Sequence, residues 1–313
     1  MTPRIVTAEH IASRLTFDRL IPAIAQGFRD FYGGQAKVAS ITNIDLPDVN
    51  GEMHIKPGYM ADGDHVCVKI ATCYYDNPRN GLPTRDGVIV LASRTNGRVE
   101  AILCDAGLIT DMRTAAASAV AVDTLASSSG PLTLGLVGAG TQAYWHARAI
   151  PHVRPISKIV VWGRHPDRVE AAVERIHKET KLPVEPGTLA RAAECDVVVT
   201  ATPARSPVLQ DETLRPGAVL VTMGADAVGK RELGPGILKQ ASTVVADRIE
   251  QCRRIGELQW LPSEQAAHRV LELGAVLAGA ENGRLASSDI IVFDSTGLAF
   301  QDVIGASLAL AAS

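Results

Sequence analysis

The chain has 313 residues, of which 46% are hydrophobic, 21% are charged and only 4% are aromatic. These proportions are typical of a globular protein with an aliphatic core, and they exclude disordered and collagen-like chains. A net charge of -3 gives no indication of a nucleic-acid partner or of an anionic membrane surface as a partner. The sequence contains no apolar run near the ~20 residues that a membrane helix needs.

The five cysteines are scattered along the chain and form no Cys-x-x-Cys pair. An odd number of isolated cysteines argues against a disulfide scaffold and against a zinc site. We therefore expect a cytoplasmic protein that has no metal site and binds neither a membrane nor a nucleic acid.

Residues 1–126 combine helical and strand-like patterns. Apolar residues recur at helical spacing over 20–28, which predicts a helix near the start. From residue 39 to about residue 104, short apolar runs such as 66–71 and 87–92 alternate with turn residues, which predicts strands. An alanine-rich helix is expected over 110–126, and the small polar cluster at 127–130 is the best candidate for a domain boundary.

After residue 130 the sequence alternates between strand-like and helix-like segments. The strand-like runs lie at 132–137, 159–162, 196–200, 218–223, 243–246 and 290–293. Amphipathic segments between several of these runs predict parallel βαβ units and a doubly wound α/β sheet. Residues 297–312 predict a helix of small residues, and composition alone leaves open whether it closes this sheet or returns to the first domain.

A glycine-rich turn follows the first of these strands and opens a helix. Gly138 permits a tight turn, Gly140 lets the backbone approach a pyrophosphate, and the small Ala143 lets the helix pack closely on the strand. The N–H groups at the start of the helix would face the phosphates. This context predicts binding of NAD(P)(H). The candidate cofactor residues of the turn are Gly138, Ala139, Gly140, Thr141, Gln142 and Ala143.

The end of the second strand bears on the choice between NAD and NADP. Sites for NAD usually have an acidic residue about twenty positions beyond the glycine turn, where it holds the ribose 2′-hydroxyl. This chain has Gly163 and Arg164 there and no carboxylate. A glycine followed by an arginine suits a 2′-phosphate, so the sequence mildly favours NADP. The alternative is that Arg164 is a solvent-exposed loop charge.

Several motifs in a fixed order make the chain resemble the ornithine cyclodeaminase/μ-crystallin family over essentially its whole length. The resemblance implies a homodimer whose subunit combines an α+β substrate-binding and dimerisation domain with a Rossmann NAD(P)-binding domain. It assigns residues 1–126 and 297–313 to the first domain and residues 127–296 to the second. The matching segments are 68–70, 75–78, 81–83, 108–117, 138–143, 200–207 and 224–233.

The resemblance assigns catalysis to Lys69 and Asp226. Lys69 lies in an apolar strand-like run, where an unpaired ammonium is costly to bury, so the alternative is a solvated strand face. Asp226 follows a strand at the edge where open α/β sheets bind ligands, although an aspartate there could instead cap a helix. Lys230 belongs to the same motif as Asp226 and is a weaker candidate for a catalytic residue.

Arg113, at the start of the alanine-rich helix, is expected to bind the substrate carboxylate or the cofactor pyrophosphate through its guanidinium fork. The alternative is an ordinary surface arginine. The resemblance also places Thr114 at the phosphates, and Thr200 and Thr202 at the nicotinamide ribose. The remaining predicted cofactor residues are Gly163, Arg164, Ala201, Met223 and Gly224.

The chain departs from the family pattern at the group that binds the substrate carboxylate. Family members commonly carry an arginine upstream of a Met-Pro-Ala segment, whereas this chain has no arginine between Arg29 and Arg79. Where that segment is expected, the chain reads Lys56-Pro57-Gly58. Lys56 is therefore the candidate carboxylate anchor, although an ammonium does not reproduce the geometry of a guanidinium fork. The alternative is a solvated loop lysine.

This Lys-Pro-Gly variant resembles the ectoine-utilisation and iminosuccinate-reductase-like branch of the family, whose substrates are diamino or dicarboxylic acids. We therefore expect an NAD(P)-dependent enzyme that reduces an imine, or oxidises an amino acid, at the Cα–N bond of a small substrate. One alternative is a true ornithine cyclodeaminase, which the missing arginine disfavours. The other is a non-enzymatic, NADP-binding, crystallin-like protein, which the presence of Lys69 and Asp226 disfavours.

Overall fold

The structure, a computed structural model, describes residues 2–127, 130–210, 212–261 and 269–311. Packing divides the chain into unit 1, formed by Met1–Thr114 and Leu298–Ser313, and unit 2, formed by Ala115–Gly297. The expected domain bounds at 126/127 and 296/297 stay a prediction. Residues 128 and 129, which belong to the expected boundary, lie outside the described residues.

The predicted helices and strands are present in the predicted order, and the structure adds strands that the pattern did not predict, among them Arg4–Thr7, Val184–Pro186 and Arg269–Glu272. The strands are β1 (Arg4–Thr7), β2 (Ala36–Val38), β3 (Thr42–Leu46), β4 (Gly51–Met60), β5 (His65–Tyr74), β6 (Arg85–Ser93), β7 (Val99–Cys104), β8 (Leu132–Val137), β9 (Ile156–Trp162), β10 (Val184–Pro186), β11 (Val197–Thr200), β12 (Val219–Thr222), β13 (Thr243–Ala246), β14 (Arg269–Glu272) and β15 (Ile291–Asp294). The helices are α1 (Ala8–Arg14), α2 (Phe17–Tyr32), α3 (Leu108–Leu125), α4 (Thr141–Ala149), α5 (Pro166–Thr180), α6 (Leu189–Ala193), α7 (Pro235–Gln240), α8 (Ile249–Ile255), α9 (Leu273–Leu277) and α10 (Ala299–Leu310). None of the described helices combines the length and the apolar composition that crossing a bilayer requires.

Unit 1 contains a mainly antiparallel sheet. Its strand order is β1-β7-β6-β5-β4-β2, and β3 also pairs with β4. Every second residue of β4 is buried, as expected for a strand with one face on the core. That buried face carries Glu52, His54 and Lys56 in addition to apolar residues, so the interior of unit 1 is polar at this point. Buried charges of this kind are rare unless they are paired.

Helix α10 packs against α2, β4 and β5 within unit 1. The ring of Phe300 meets the ring of Phe28 edge to face, with 5.2 Å between their centroids. The helix also approaches the sheet closely at Gly58, where a Cβ would lie 2.8 Å from the Cβ of Ala299. Composition alone left the packing partner of this C-terminal helix open, and the family resemblance assigned the helix to the first domain. In the structure it packs on the sheet of unit 1.

Unit 2 contains a parallel sheet with the strand order β10-β9-β8-β11-β12-β15-β13-β14. Its central strands are short aliphatic runs that are buried throughout, as is typical of parallel sheets covered by helices. The strand order reverses between β8 and β11, which are neighbours with Thr200 opposite Val137. Ligands of open α/β sheets bind at the carboxyl ends of the strands at such a reversal. The structure confirms the expected mixed α/β fold with a parallel sheet.

Candidate active site

The turn after β8 has the geometry that its glycines predicted. Gly138 has a φ of +121°, and a Cβ there would lie 2.7 Å from the carbonyl oxygen of Ala201. Gly140 is the N-cap of α4, and a Cβ there would meet no atom of the described residues within 4 Å. The backbone therefore requires the first glycine, whereas the second leaves open space at a helix N-terminus. Such a cradle fits the pyrophosphate of a dinucleotide.

A cavity of about 760 Å³ opens at this edge of the parallel sheet. Its volume is in the range of small-molecule and cofactor sites, roughly 300–1,000 Å³. The turn after β8, the end of β9 and the segment after β11 form its walls. The predicted cofactor residues that line it are Gly138, Ala139, Gly140, Gly163, Arg164 and Thr202.

The other predicted cofactor residues do not belong to the cavity lining. Thr141, Gln142 and Ala143 form the first turn of α4. Met223 and Gly224 follow β12, and Ala201 follows β11. Thr114 donates its hydroxyl to the carbonyl oxygen of Thr110, one turn earlier in α3.

The lining of the cavity is cationic. Arg164 and Arg168 beyond β9 and Arg205 after β11 line it together with His165, and none of the described lining residues is a carboxylate. Arg164 is exposed, as a loop charge would be. Its position among other cations nevertheless concentrates positive charge where a 2′-phosphate would be attracted.

A buried carboxylate, Glu232, connects the loops after β11 and β12. Its oxygens accept hydrogen bonds from the hydroxyls of Thr200 and Thr202, both at 2.7 Å, and from the N–H of Gly224 at 2.8 Å. Burial raises the pKa of Glu232, and the bonds from the two threonines oppose that shift. Thr200 has no exposed surface, so its hydroxyl is bonded to Glu232 and does not reach the cavity.

Asp226 lies in the loop after β12 and accepts a hydrogen bond from Nζ of Lys230 at 2.8 Å. The Lys230 side chain is buried, whereas that of Asp226 is 36% exposed. The next helix, α7, has Gly234 as its N-cap, so the interpretation of Asp226 as a helix cap is wrong. Asp226 is instead a partly exposed carboxylate at the ligand-binding edge, paired with a buried ammonium.

Lys69 and Arg113 meet at one carboxylate in unit 1. Nζ of Lys69 donates to Oδ1 of Asp302 at 2.8 Å, and Nε of Arg113 donates to the same oxygen at 3.0 Å. Nη1 of Arg113 donates to Oε1 of the neighbouring Gln301 at 2.8 Å. Lys69 is 2% exposed and Arg113 is 4% exposed. The alternatives of a solvated lysine and a surface arginine are therefore wrong.

Electrostatics makes the Lys69 ammonium a stronger acid than an exposed lysine. Burial and the charge of Arg113 lower the pKa of Lys69, although the carboxylate of Asp302 opposes the shift. Burial would raise the pKa of Asp302, but Lys69 and Arg113 hold that pKa below its usual range. A lysine whose pKa is lowered gives up its proton more readily and can act as a general acid or base towards a substrate.

Lys56 lies on β4 directly opposite Lys69 on β5. Only 6% of Lys56 is exposed, so its interpretation as a solvated loop lysine is wrong. Burial raises the pKa of Asp302, whereas the charges of Lys69, Arg113 and, to a smaller extent, Lys56 lower it. Lys56 therefore belongs to the same buried cluster as Lys69, Arg113 and Asp302.

Sequence reasoning missed Gln301, Asp302 and Glu232. The first two had a recognisable signal, because Asp302 is the only charged residue in an otherwise largely apolar helix. A carboxylate in such a helix needs a cation when it is buried, but no local pattern indicates which one. Among the described residues, no group of three or more His, Cys, Asp and Glu side chains could hold a metal ion.

Comparison with known proteins gives matches over nearly the whole chain. The model of the ornithine cyclodeaminase/mu-crystallin family matches residues 1–310. The chain is 39% identical to the uncharacterised cyclodeaminase y4tK of Sinorhizobium fredii, over 87% of this chain and 84% of that protein. It is 30% identical to the iminosuccinate reductase of Paracoccus denitrificans, over 96% of this chain and 93% of that protein.

A solved structure is similarly close. The Δ1-pyrroline-2-carboxylate reductase of Thermococcus litoralis, in complex with NADH and L-proline, aligns with a TM-score of 0.91 at 29% identity. The alignment covers 98% of this chain and 96% of that one. The motif-based resemblance is confirmed: the chain belongs to the ornithine cyclodeaminase/mu-crystallin family.

Proposed function

We propose that the chain is an NAD(P)H-dependent reductase of an α-imino acid, which in the reverse direction oxidises the corresponding amino acid. The observation that carries the proposal is the buried cluster in which Lys69 and Arg113 meet at Asp302. An ammonium of lowered pKa beside a guanidinium fork suits a substrate that has both a basic nitrogen and a carboxylate. Two of the relatives described above are named as reductases of imino acids, which supports the same reaction class.

The glycine turn of unit 2 supplies the cofactor site in this proposal. Gly138, Gly140 and the N-terminus of α4 hold the pyrophosphate. Bound NAD(P)H supplies a hydride for Cα of the substrate. The arginines of the cavity lining and the lack of a carboxylate among its described residues support NADPH as the preferred form.

Lys69 and Asp226 handle the protons. When Cα gains a hydride, the imine nitrogen must gain a proton, and the lowered pKa of Lys69 makes its ammonium a better proton donor than that of an exposed lysine. Asp226 offers a partly exposed carboxylate that can bind the nitrogen of the product as an ammonium. In the oxidative direction Asp226 binds the ammonium of the amino acid, and Lys69 in its neutral form accepts the proton.

Arg113 and Lys56 bind the substrate carboxylate. The bonds to Asp302 and Gln301 use Nε and one N–H of Nη1, and a guanidinium has five N–H donors in all. Arg113 thus has donors left for a carboxylate after it is fixed in place. Lys56 adds a second positive charge on the same buried face of the sheet.

The direct test is reduction of imino acids by the purified protein. Oxaloacetate with ammonia, as a source of iminosuccinate, and Δ1-pyrroline-2-carboxylate are each mixed with NADPH or NADH. We expect cofactor oxidation together with an amino acid identified by mass spectrometry. Lys69→Met should abolish turnover and still bind NADPH. Tight NADPH binding by the wild-type protein without turnover of any imino or amino acid would contradict the proposal and favour a non-enzymatic, crystallin-like protein.

We also propose that the protein is a homodimer in the cytoplasm, as the family resemblance led us to expect. Light scattering after size-exclusion chromatography measures the mass in solution directly. Twice the chain mass of 33.1 kDa is the expected result, and a monomer across micromolar concentrations would contradict it.

A further inference from the structure

Residues 301 and 302 of α10 fix two cations that come from different elements of unit 1. Oδ1 of Asp302 accepts hydrogen bonds from Lys69 on β5, at 2.8 Å, and from Arg113 on α3, at 3.0 Å. Gln301 accepts the second bond of Arg113 at 2.8 Å. The spacing between the ammonium and the guanidinium is therefore set by one carboxylate oxygen.

The pair is fully buried and incompletely hydrogen-bonded. Asp302 and Gln301 have no exposed surface. Within the described part of the chain, Oδ2 of Asp302 and Nε2 of Gln301 have no hydrogen-bond partner. Buried polar atoms without partners are costly, so stability gives little reason to keep this pair. This cost in stability is explained if Asp302 and Gln301 are there to hold Lys69 and Arg113 in place rather than to stabilise the fold.

The charge of Asp302 is the main influence that keeps Lys69 protonated. Burial and Arg113 lower the pKa of Lys69, whereas Asp302, by charge and by its hydrogen bond, and then Asp105 raise it. The register of β4 and β5 adds Lys56 as a third cation on the same face. The titratable and charged groups around Lys69 are Lys56 on β4, Cys67 on β5, Asp105 after β7, Arg113 on α3 and Asp302 on α10.

We propose that Asp302 is a positioning residue that holds the Lys69 ammonium at a fixed place and in its protonated form, so that it can give its proton to the imine nitrogen. This inference rests on the proposed function. In the step, Nζ of Lys69 loses one proton and keeps the electron pair of that N–H bond. The electron pair of the C=N π bond forms the new N–H bond, and Cα receives the hydride from NAD(P)H. Lys69 regains its proton from solvent after product release.

Asp302→Asn tests the proposal because it removes the charge and preserves the shape. The titration of Lys69 is followed by NMR of protein that contains [ε-13C]lysine, with the Lys69 signal identified by its loss in Lys69→Arg. We expect the pH at which Lys69 loses its proton to fall by about one unit or more. The alkaline limb of the pH profile of kcat/KM for the imino acid should move by the same amount. NADPH affinity should not change.

Asp105→Asn is the matched control. Asp105 raises the pKa of Lys69 by charge alone, without a hydrogen bond to it, so the same substitution should shift the titration less. An unchanged Lys69 titration in folded Asp302→Asn would overturn the proposal.

Asp302→Glu covers the case in which Asp302→Asn does not fold, as judged by melting and NADPH binding. It keeps the charge but displaces the carboxylate by one methylene. We expect the Lys69 titration to stay near its wild-type pH and kcat to fall about tenfold or more. An unchanged kcat would overturn the positioning role. If the proposed function itself is wrong, the wild-type protein will reduce no imine. The NMR titration still shows in that case whether Asp302 controls the protonation of Lys69.

Discussion

Lys56 and Lys69 lie directly opposite each other across β4 and β5, on the buried face of the sheet in unit 1. Residues so paired have Cβ atoms about 5 Å apart, and like charges in this arrangement destabilise a sheet. Asp302 supplies the opposing charge, since both lysines lower its pKa. A substrate carboxylate would relieve the remaining repulsion. In the proposed function, this pair therefore takes the place of the arginine that the family pattern led us to expect upstream.

The first prediction concerns Lys56 as a carboxylate anchor. Lys56→Met should raise the KM for the imino acid about tenfold or more, because a hydrogen bond from a charged group is lost. NADPH affinity should stay the same. Steady-state kinetics and fluorescence titration measure the two quantities. Lys37→Met is the matched control, since Lys37 is exposed on the neighbouring β2. An equal KM in both variants would remove Lys56 from the substrate site.

The second prediction concerns the carboxylate of Asp226. Asp226→Asn keeps the size of the side chain and an acceptor for Lys230, but it removes the charge that binds the substrate nitrogen. We expect kcat to fall roughly 10²–10⁴-fold, with little change in melting temperature. Glu194→Gln, the same chemical change at an exposed residue of unit 2, should leave kcat unchanged. A lower melting temperature with normal kcat would mean that Asp226 only holds Lys230 in place.

The third prediction concerns the choice of cofactor. Arg164→Gln should weaken NADPH binding by about tenfold, because a charge-assisted bond to the 2′-phosphate is lost. NADH has no such phosphate, so its dissociation constant should not change. Isothermal titration calorimetry with both cofactors measures the difference, and Arg253→Gln, at another exposed arginine of unit 2, is the control. Equal losses for NADH and NADPH would contradict a role in recognition of the 2′-phosphate.

The fourth prediction concerns stability and pH in unit 2. Burial raises the pKa of Glu257 from 4.5 to about 9. Between these two values the folded chain keeps a proton that the unfolded chain has lost, so rising pH lowers the free energy of unfolding. The slope from one such group is at most about 1.4 kcal/mol per pH unit.

Glu257→Gln should therefore flatten this dependence, and its stability relative to wild type should increase from about pH 6 to about pH 8. Its amide oxygen can still accept the bond that the N–H of Glu232 donates to Oε1. Urea unfolding at several pH values measures the slope. Glu170→Gln, at an exposed glutamate of α5, should leave the slope as it is in the wild type. Parallel slopes in wild type and Glu257→Gln would show that Glu257 is ionised in the folded protein.

Local patterns predicted the elements and the cofactor turn well. Gly138 needs the positive φ that glycine readily adopts, and Gly140 leaves open space at the N-terminus of α4. Such requirements act within a few residues of the chain, so they are visible in the sequence. Six parallel strands of unit 2 were equally visible, because strands covered on both faces are continuous aliphatic runs, whereas β10 and β14 at the edges of the described sheet were not predicted.

The partners of the buried charges could not be predicted in the same way. Lys69 and Asp302 are joined by tertiary packing across most of the chain length, and only the position of α10 on the sheet brings them together. Burial itself also depends on that packing. For this reason the sequence left open the alternative that Lys56 and Lys69 are exposed to solvent. Glu232 was not predicted at all, although it fixes two loops.

The stoichiometry of cofactor and product distinguishes an imino-acid reductase from a cyclodeaminase. The protein is supplied with limiting NADPH and excess imino acid, and separately with L-ornithine and a trace of NAD+ or NADP+. For the proposed reductase we expect one NADPH oxidised for each amino acid formed in the first reaction, and no proline in the second. Proline and ammonia in large excess over the cofactor supplied would contradict it, because they would show a redox-neutral cyclodeaminase.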